Sequence, residues 1–133
     1  MTLAALDARM VTVDVFDTLV TRVFLTPTAA REHLAWRLER QWGIGDFSQH
    51  RADAESCLRE TLQRDPTLSE IHIELAGRLA LRGVDANMLA NAERMHERAI
   101  LRPRQGLLAA LADAKVTPLT AFSDMYLSSE DMR

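Results

Sequence analysis

Apolar and polar positions follow two different periods along this chain. Met10 to Phe16 is a short apolar run interrupted by Thr12 and Asp14, and it is closed by the turn-forming Asp17-Thr18, which predicts a β-strand. Val116 to Phe122 predicts a second strand, with Pro118 acceptable near its beginning or at a sheet edge. Nearly everything between them has helical spacing. Thr28 caps a helix reaching about Gln41, with Ala30, Leu34 and Leu38 on one face, Trp42 just beyond, and Gly43-Ile44-Gly45-Asp46 as stop and turn. A second helix, from Ser48 to Arg64, turns Ala54, Leu58, Thr61 and Leu62 inward and ends at Asp65-Pro66. A third opens at Thr67 or Ser69, carries Ile71, Leu75 and Leu79 as its stripe, and stops at Gly83. In a fourth, Asp85 to Leu101, Met88, Ala92, Met95 and Ala99 line one face; a shorter fifth follows Pro103 and buries Leu107, Leu108 and Leu111.

The strand ends carry the polar groups. Val11-Thr12-Val13 delivers Asp14 to the C-terminal end of the first strand, and Ser123-Asp124 follows the second. Open α/β sheets build their sites at that edge, where backbone amides are free to hold an anion, and a carboxylate there can serve as a nucleophile. The plainer reading is a strand-to-turn junction capped by aspartate, with Ser123-Asp124 an ordinary cap. Two strands alone make no stable parallel sheet. The tail, Leu127 to Arg133, has the serine cap and acidic first turn of a helix start. On this pattern the chain breaks off inside an α/β domain.

Composition narrows the classes. A chain of 133 residues, 47% apolar, can bury a core. Its 16 basic and 19 acidic residues leave a net charge of −3 with no basic run, which argues against nucleic-acid binding. Cys57 is the only cysteine, so neither a disulfide nor a cysteine metal cluster can form within the chain; it reads as a small buried apolar residue in a reducing compartment. The N-terminus lacks the pattern of a secretory signal, and no apolar run reaches about 18 residues, so a cytoplasmic protein without a membrane span is expected.

With the motifs in view, DVFDTL (14–19) resembles the first motif of the haloacid-dehalogenase-like (HAD) hydrolases, and FSDMYLS (122–128) resembles their second. The pair is similar to a branch of predicted hydrolases, some joined to glycosyltransferases of surface-polysaccharide synthesis. The resemblance implies an α/β fold: a partial Rossmann-like core of two parallel strands with a large helical cap, mostly helical by content. It divides the chain into residues 1–25 (first strand and motif loop), 26–102 (cap) and 103–133 (return to the core).

The same resemblance implies a Mg²⁺-dependent phosphatase acting on a small phosphoester, a sugar or nucleotide phosphate among them, through an aspartyl-phosphate. Asp14 matches the nucleophile, and Mg²⁺ would sit on its carboxylate and the backbone carbonyl of Phe16. Thr18 supports the loop, while Ser123, with Asp124 beside it, matches the hydroxyl that binds a phosphoryl oxygen. The acid/base aspartate of phosphatase members stands two positions after the nucleophile. Here Phe16 holds that place, and Asp17 falls one further on, where many members have glycine. An aromatic there is similar to 2-haloacid dehalogenases, whose halide leaving group needs no proton. The third and fourth motifs, a basic residue and acidic Mg²⁺ ligands, would fall beyond Arg133, which implies impaired activity. A third reading is a non-catalytic interaction module, dimerising through exposed sheet edges.

Other residues read more plainly. Arg22 either reaches a substrate anion or is a solvated loop residue. Glu93 and Glu97 read as a solvated face paired with Arg94 or Arg98, rather than as cap residues over the site. His33, His50, His72 and His96 lie on separate helices without His-x-x-x-His spacing, which argues against a histidine metal site. Met88 and Met95 read as core rather than a binding groove, and Gly43-Ile44-Gly45 as a turn.

Overall fold

The computed structural model describes residues 11–79, 83–114 and 119–123. In chain order the elements are β1 (Val11–Asp14), β2 (Val20–Arg22), α1 (Pro27–Trp42), α2 (Phe47–Leu62), α3 (Leu68–Leu79), α4 (Ala86–Ile100), β3 (Leu101–Pro103), α5 (Gln105–Asp113) and β4 (Leu119–Phe122). The chain is mostly helical, with a small parallel pair of strands. Among the described residues no helix is long and apolar enough to cross a membrane. They fall into two compact units, 11–23 with 100–123, and 24–99.

In the first unit β1 and β4 pair in parallel, Val11 opposite Leu119 through Asp14 opposite Phe122. Every residue of β4 is exposed, Leu119 and Phe122 included. The antiparallel ribbon of β2 and β3, with Thr21 opposite Arg102, is absent from the sequence reading, which ran the fourth helix through Leu101. Three-residue strands carry too little periodicity to be seen. Each exists because the other is there to take its backbone hydrogen bonds. Val23 N–H to Ile100 O (3.0 Å) and Arg104 N–H to Leu19 O (2.8 Å) extend the ribbon at its two ends. Of the three leucines assigned to the interior of α5, Leu111 is buried, Leu107 half-buried and Leu108 exposed.

The second unit is built on an apolar core of Leu34 and Leu38 from α1, Ile44 and Phe47 at the α1–α2 turn, Ala54 from α2, Ile71 and Leu75 from α3, and Leu89 from α4. Helix ends follow their capping residues. Thr26 Oγ1 accepts from Ala29 N–H (3.1 Å) with Pro27 at the first helical position, so the cap lies two residues before Thr28. Gly43 stops it at φ +69°. Thr67 and Glu70 form a capping box: Glu70 N–H donates to Thr67 Oγ1 (3.3 Å) and Thr67 N–H to Glu70 Oε2 (2.7 Å). In α2, Thr61 and Leu62 are exposed, and the buried stripe is Phe47, Arg51 and Ala54.

The largest departure is the rotation of α4. Met88 and Met95 are 39% and 60% exposed, whereas Leu89, Ala90, Glu93, His96 and Glu97 are buried. The helix is turned by one residue, about 100°, from the face its methionines suggested. Glu93 and Glu97 are therefore not a solvated face. Glu93 takes a bidentate pair from Arg51, Nε to Oε2 at 3.1 Å and Nη2 to Oε1 at 3.0 Å, and accepts from His72 Nε2 at 2.8 Å. Arg51 also donates to Glu55, which Arg59 meets at 2.9 Å. This network, contributed by three helices, decides which face of α4 turns inward. Cys57, read as buried, is exposed.

Candidate active site

A tight loop joins β1 to β2. Val15 O accepts from both Leu19 N–H (2.8 Å) and Val20 N–H (3.0 Å), so the chain reverses within a few residues of Asp14. The reversal needs a left-handed residue, and Asp17 supplies it at φ +58°. Aspartate tolerates this conformation better than most side chains, and glycine does so without strain. Asp17 is thus the conformational equivalent of a glycine in this turn. Its side chain is exposed, and its carbonyl accepts from Arg104 Nη1 at 2.9 Å. Asp17→Gly is expected to leave thermal stability unchanged or raise it, whereas Asp17→Val costs about 1–2 kcal/mol. Melting curves for the two variants check this, and equal losses would remove the backbone role from Asp17.

Thr18 lies on the same turn, and its Oγ1 donates to Asp14 Oδ2 at 3.3 Å. Phe16 is buried, with the Arg22 guanidinium 4.9 Å from its ring centroid. Arg22 is therefore a half-buried residue of β2 stacked on an aromatic face, rather than a solvated loop side chain. A carboxylate at position 16 would have to replace a buried ring beneath that cation. Position 16 is built for packing.

The parallel pairing brings the second polar strand end to the first. Val15 N–H donates to Phe122 O at 3.0 Å, and Ser123 follows Phe122 directly. Asp14 and Ser123, far apart in sequence, thus sit at neighbouring C-terminal strand ends, the edge at which open α/β sheets bind anions. Asp14 is exposed and Ser123 half-buried. Asp124 lies outside the described residues. Arg104 is the contributor that sequence reading missed. It looks like a residue leading into α5, and only the β2–β3 ribbon carries it to the motif loop.

The donors on this loop are hard oxygens: the Asp14 carboxylate and the Phe16 carbonyl. They suit Mg²⁺, which keeps several waters and takes one or two protein carboxylates. Among the described residues no cluster of three or more His, Cys, Asp or Glu could hold a metal, so this pair would be a partial ligand set completed by water and substrate.

Two of the four histidines do meet in the helical unit. The His33 and His96 rings stack with centroids 5.1 Å apart, beside Phe24 at 5.1 Å from His33. His96 Nε2 donates to Ala30 O at 3.1 Å. Burial pushes its pKa down, His33 and Arg37 add to the shift, and the Ala30 carbonyl opposes it. The Arg51–Glu93 pair was missed in the sequence, where its one signal is the two residues taken together. Each stands on its helix's inward stripe, Arg51 in line with Phe47 and Ala54, Glu93 four after Leu89, and they are of opposite sign.

No protein-family model matches this chain, and no curated protein matches it.

Proposed function

We propose that the chain carries the nucleophile of a HAD-like hydrolase, cytoplasmic, acting on a small phosphoester through Asp14. The observation that carries this reading is the adjacency of Asp14 and Ser123 at the C-terminal ends of β1 and β4. Asp14, held by Thr18, attacks phosphorus in line and forms an aspartyl-phosphate as the leaving oxygen departs with the bonding pair and takes a proton from water. Ser123 donates to a phosphoryl oxygen, and water then releases phosphate from Asp14. Mg²⁺ would be held by the Asp14 carboxylate and the Phe16 carbonyl, and when bound it supplies positive charge against the phosphate. The left-handed turn at Asp17 and the Arg104 contact to its carbonyl keep the loop in one shape.

A second reading draws on Phe16. With a buried aromatic where the leaving-group acid would stand, departure of a halide, which needs no proton, suits the loop as well. The exposure of β4 supports a third, a non-catalytic module that pairs through its sheet.

The three separate in one set of assays, run on this chain and on any longer product whose reading frame continues past Arg133. Phosphate release from a generic aryl phosphate that depends on Mg²⁺, without halide release from a 2-haloacid, is the expected result. Halide release without phosphate release overturns it in favour of the dehalogenase. Neither release, together with a stable dimer by light scattering, leaves the interaction module.

A further inference from the structure

The rotation of α4 has an outward consequence. The helix spends its charged face on the buried network and leaves Met88 and Met95 facing outward. Between them and α1 runs a groove of about 270 Å³, walled on the α1 side by Leu34, Leu38 and Trp42. At 1.5 Å per residue, Leu34 to Trp42 spans about 12 Å and Met88 to Met95 about 10 Å, which is two turns of a helix. A cavity of roughly 150 Å³ holds a benzene-sized group, so the groove takes roughly two such side chains. Methionine walls adapt to the shapes they receive, a property of helix-binding surfaces.

Charge indicates what the occupant carries. Among the described residues no acidic side chain lines the groove; the charged lining residue is Arg37, accompanied by the amides of Gln41 and Asn91. Arg37 is exposed and makes no hydrogen bond or ion pair among the described residues. Several arginines of this unit are engaged, Arg51 on Glu93, Arg59 on Asp65, Arg64 on Glu70 and Arg78 on Glu74; Arg98 has no such pair among the described residues either, but of the two only Arg37 lines the groove. A small ligand filling the floor would leave the exposed methionines wet. A helix laid along the groove covers them.

We propose that this groove receives an amphipathic helix of a partner protein, which sets two apolar side chains one turn apart between Met88 and Met95 and an acidic side chain against Arg37. This inference stands on the helical unit alone and is independent of the chemistry at Asp14.

The probe is a labelled helical peptide about four turns long, with two leucines one turn apart flanked by glutamates, and a twin with lysines in their place. Fluorescence anisotropy is read as the intact chain is titrated in. The glutamate peptide is expected to bind about tenfold tighter than its twin, and Arg37→Glu to reverse that preference. Met95→Asp weakens both by about tenfold or more. Both substituted side chains are exposed, and far-UV circular dichroism confirms that each variant keeps its helices. Equal binding of the two peptides, no binding of either at millimolar concentration, or a preference that survives Arg37→Glu overturns the proposal. So does a chain that dimerises in solution and becomes monomeric on Arg37→Glu, because a second copy is then the occupant.

Discussion

Glu93→Ala unfolds the helical unit more readily than any surface change, by about 3–5 kcal/mol. The cost is not the loss of one attractive pair. Arg51, 1% exposed, loses the carboxylate that meets it with two hydrogen bonds, and His72 Nε2, also buried, loses its acceptor. A buried guanidinium stripped of its bidentate carboxylate is among the few single-site defects that reach this size. Urea titration followed by circular dichroism reads the loss. The triple replacement Arg51→Met, His72→Phe, Glu93→Leu removes all three polar groups together and is expected to recover most of the stability. A Glu93→Ala loss below about 1 kcal/mol would show that the network does not govern α4.

Acid titrates the same network. Burial pushes the Glu93 carboxyl up, but the His72 hydrogen bond and the Arg51 charge outweigh it and hold the group at about 2. In the unfolded chain a glutamate titrates near about 4.3. Between these values the unfolded state binds the extra proton, so stability rises with pH. Glu93's contribution is fully present above the unfolded value and is lost as pH falls toward about 2. Glu70, held at about 2 by Arg64 and by Thr67, adds a slope of the same sign. The difference between wild type and Glu93→Ala therefore isolates the buried carboxylate. Parallel pH profiles for the two proteins would contradict the assignment.

Asp14→Asn abolishes turnover, by at least about a thousandfold, in whichever form of the protein hydrolyses an aryl phosphate. The amide keeps the shape of the side chain and an oxygen able to accept from Thr18, so the loop has no reason to move. In the proposed mechanism the amide is no nucleophile, so the aspartyl-phosphate does not form. Two readouts separate this from a folding defect. The melting temperature stays within a few degrees of wild type because the side chain is exposed, and label from radioactive phosphoester no longer survives on acid-quenched protein. A variant that still releases phosphate would remove Asp14 from the centre of the reaction.

How much of this was legible depends on the range of the interactions involved. The α1 stripe of Ala30, Leu34 and Leu38 is local periodicity, and the structure buries all three. The starts of α3 and α4 were also legible, because Thr67 and Asp85 satisfy nearby amides within a single turn; Met88 N–H reaches Asp85 Oδ1 at 2.8 Å. At the candidate site the two polar strand ends could be picked out, since an apolar run stopping at Asp14 or Ser123 is a one-dimensional signal. Arg104 could not be, because its contact with Asp17 depends on the β2–β3 ribbon, whose strands are too short to recognise separately.

The helix α4 marks the boundary most clearly. By itself, the sequence determined a helix, read as Asp85 to Leu101 and ending in the structure at Ile100, with one face of methionines and alanines and another that carries Glu93 and Glu97. Hydrophobicity alone selects the methionines. Only the tertiary structure could decide otherwise, because a carboxylate goes inside only where other helices have already arranged its donors. Arg51 from α2 and His72 from α3 do so for Glu93, and the methionines are turned out to line a groove.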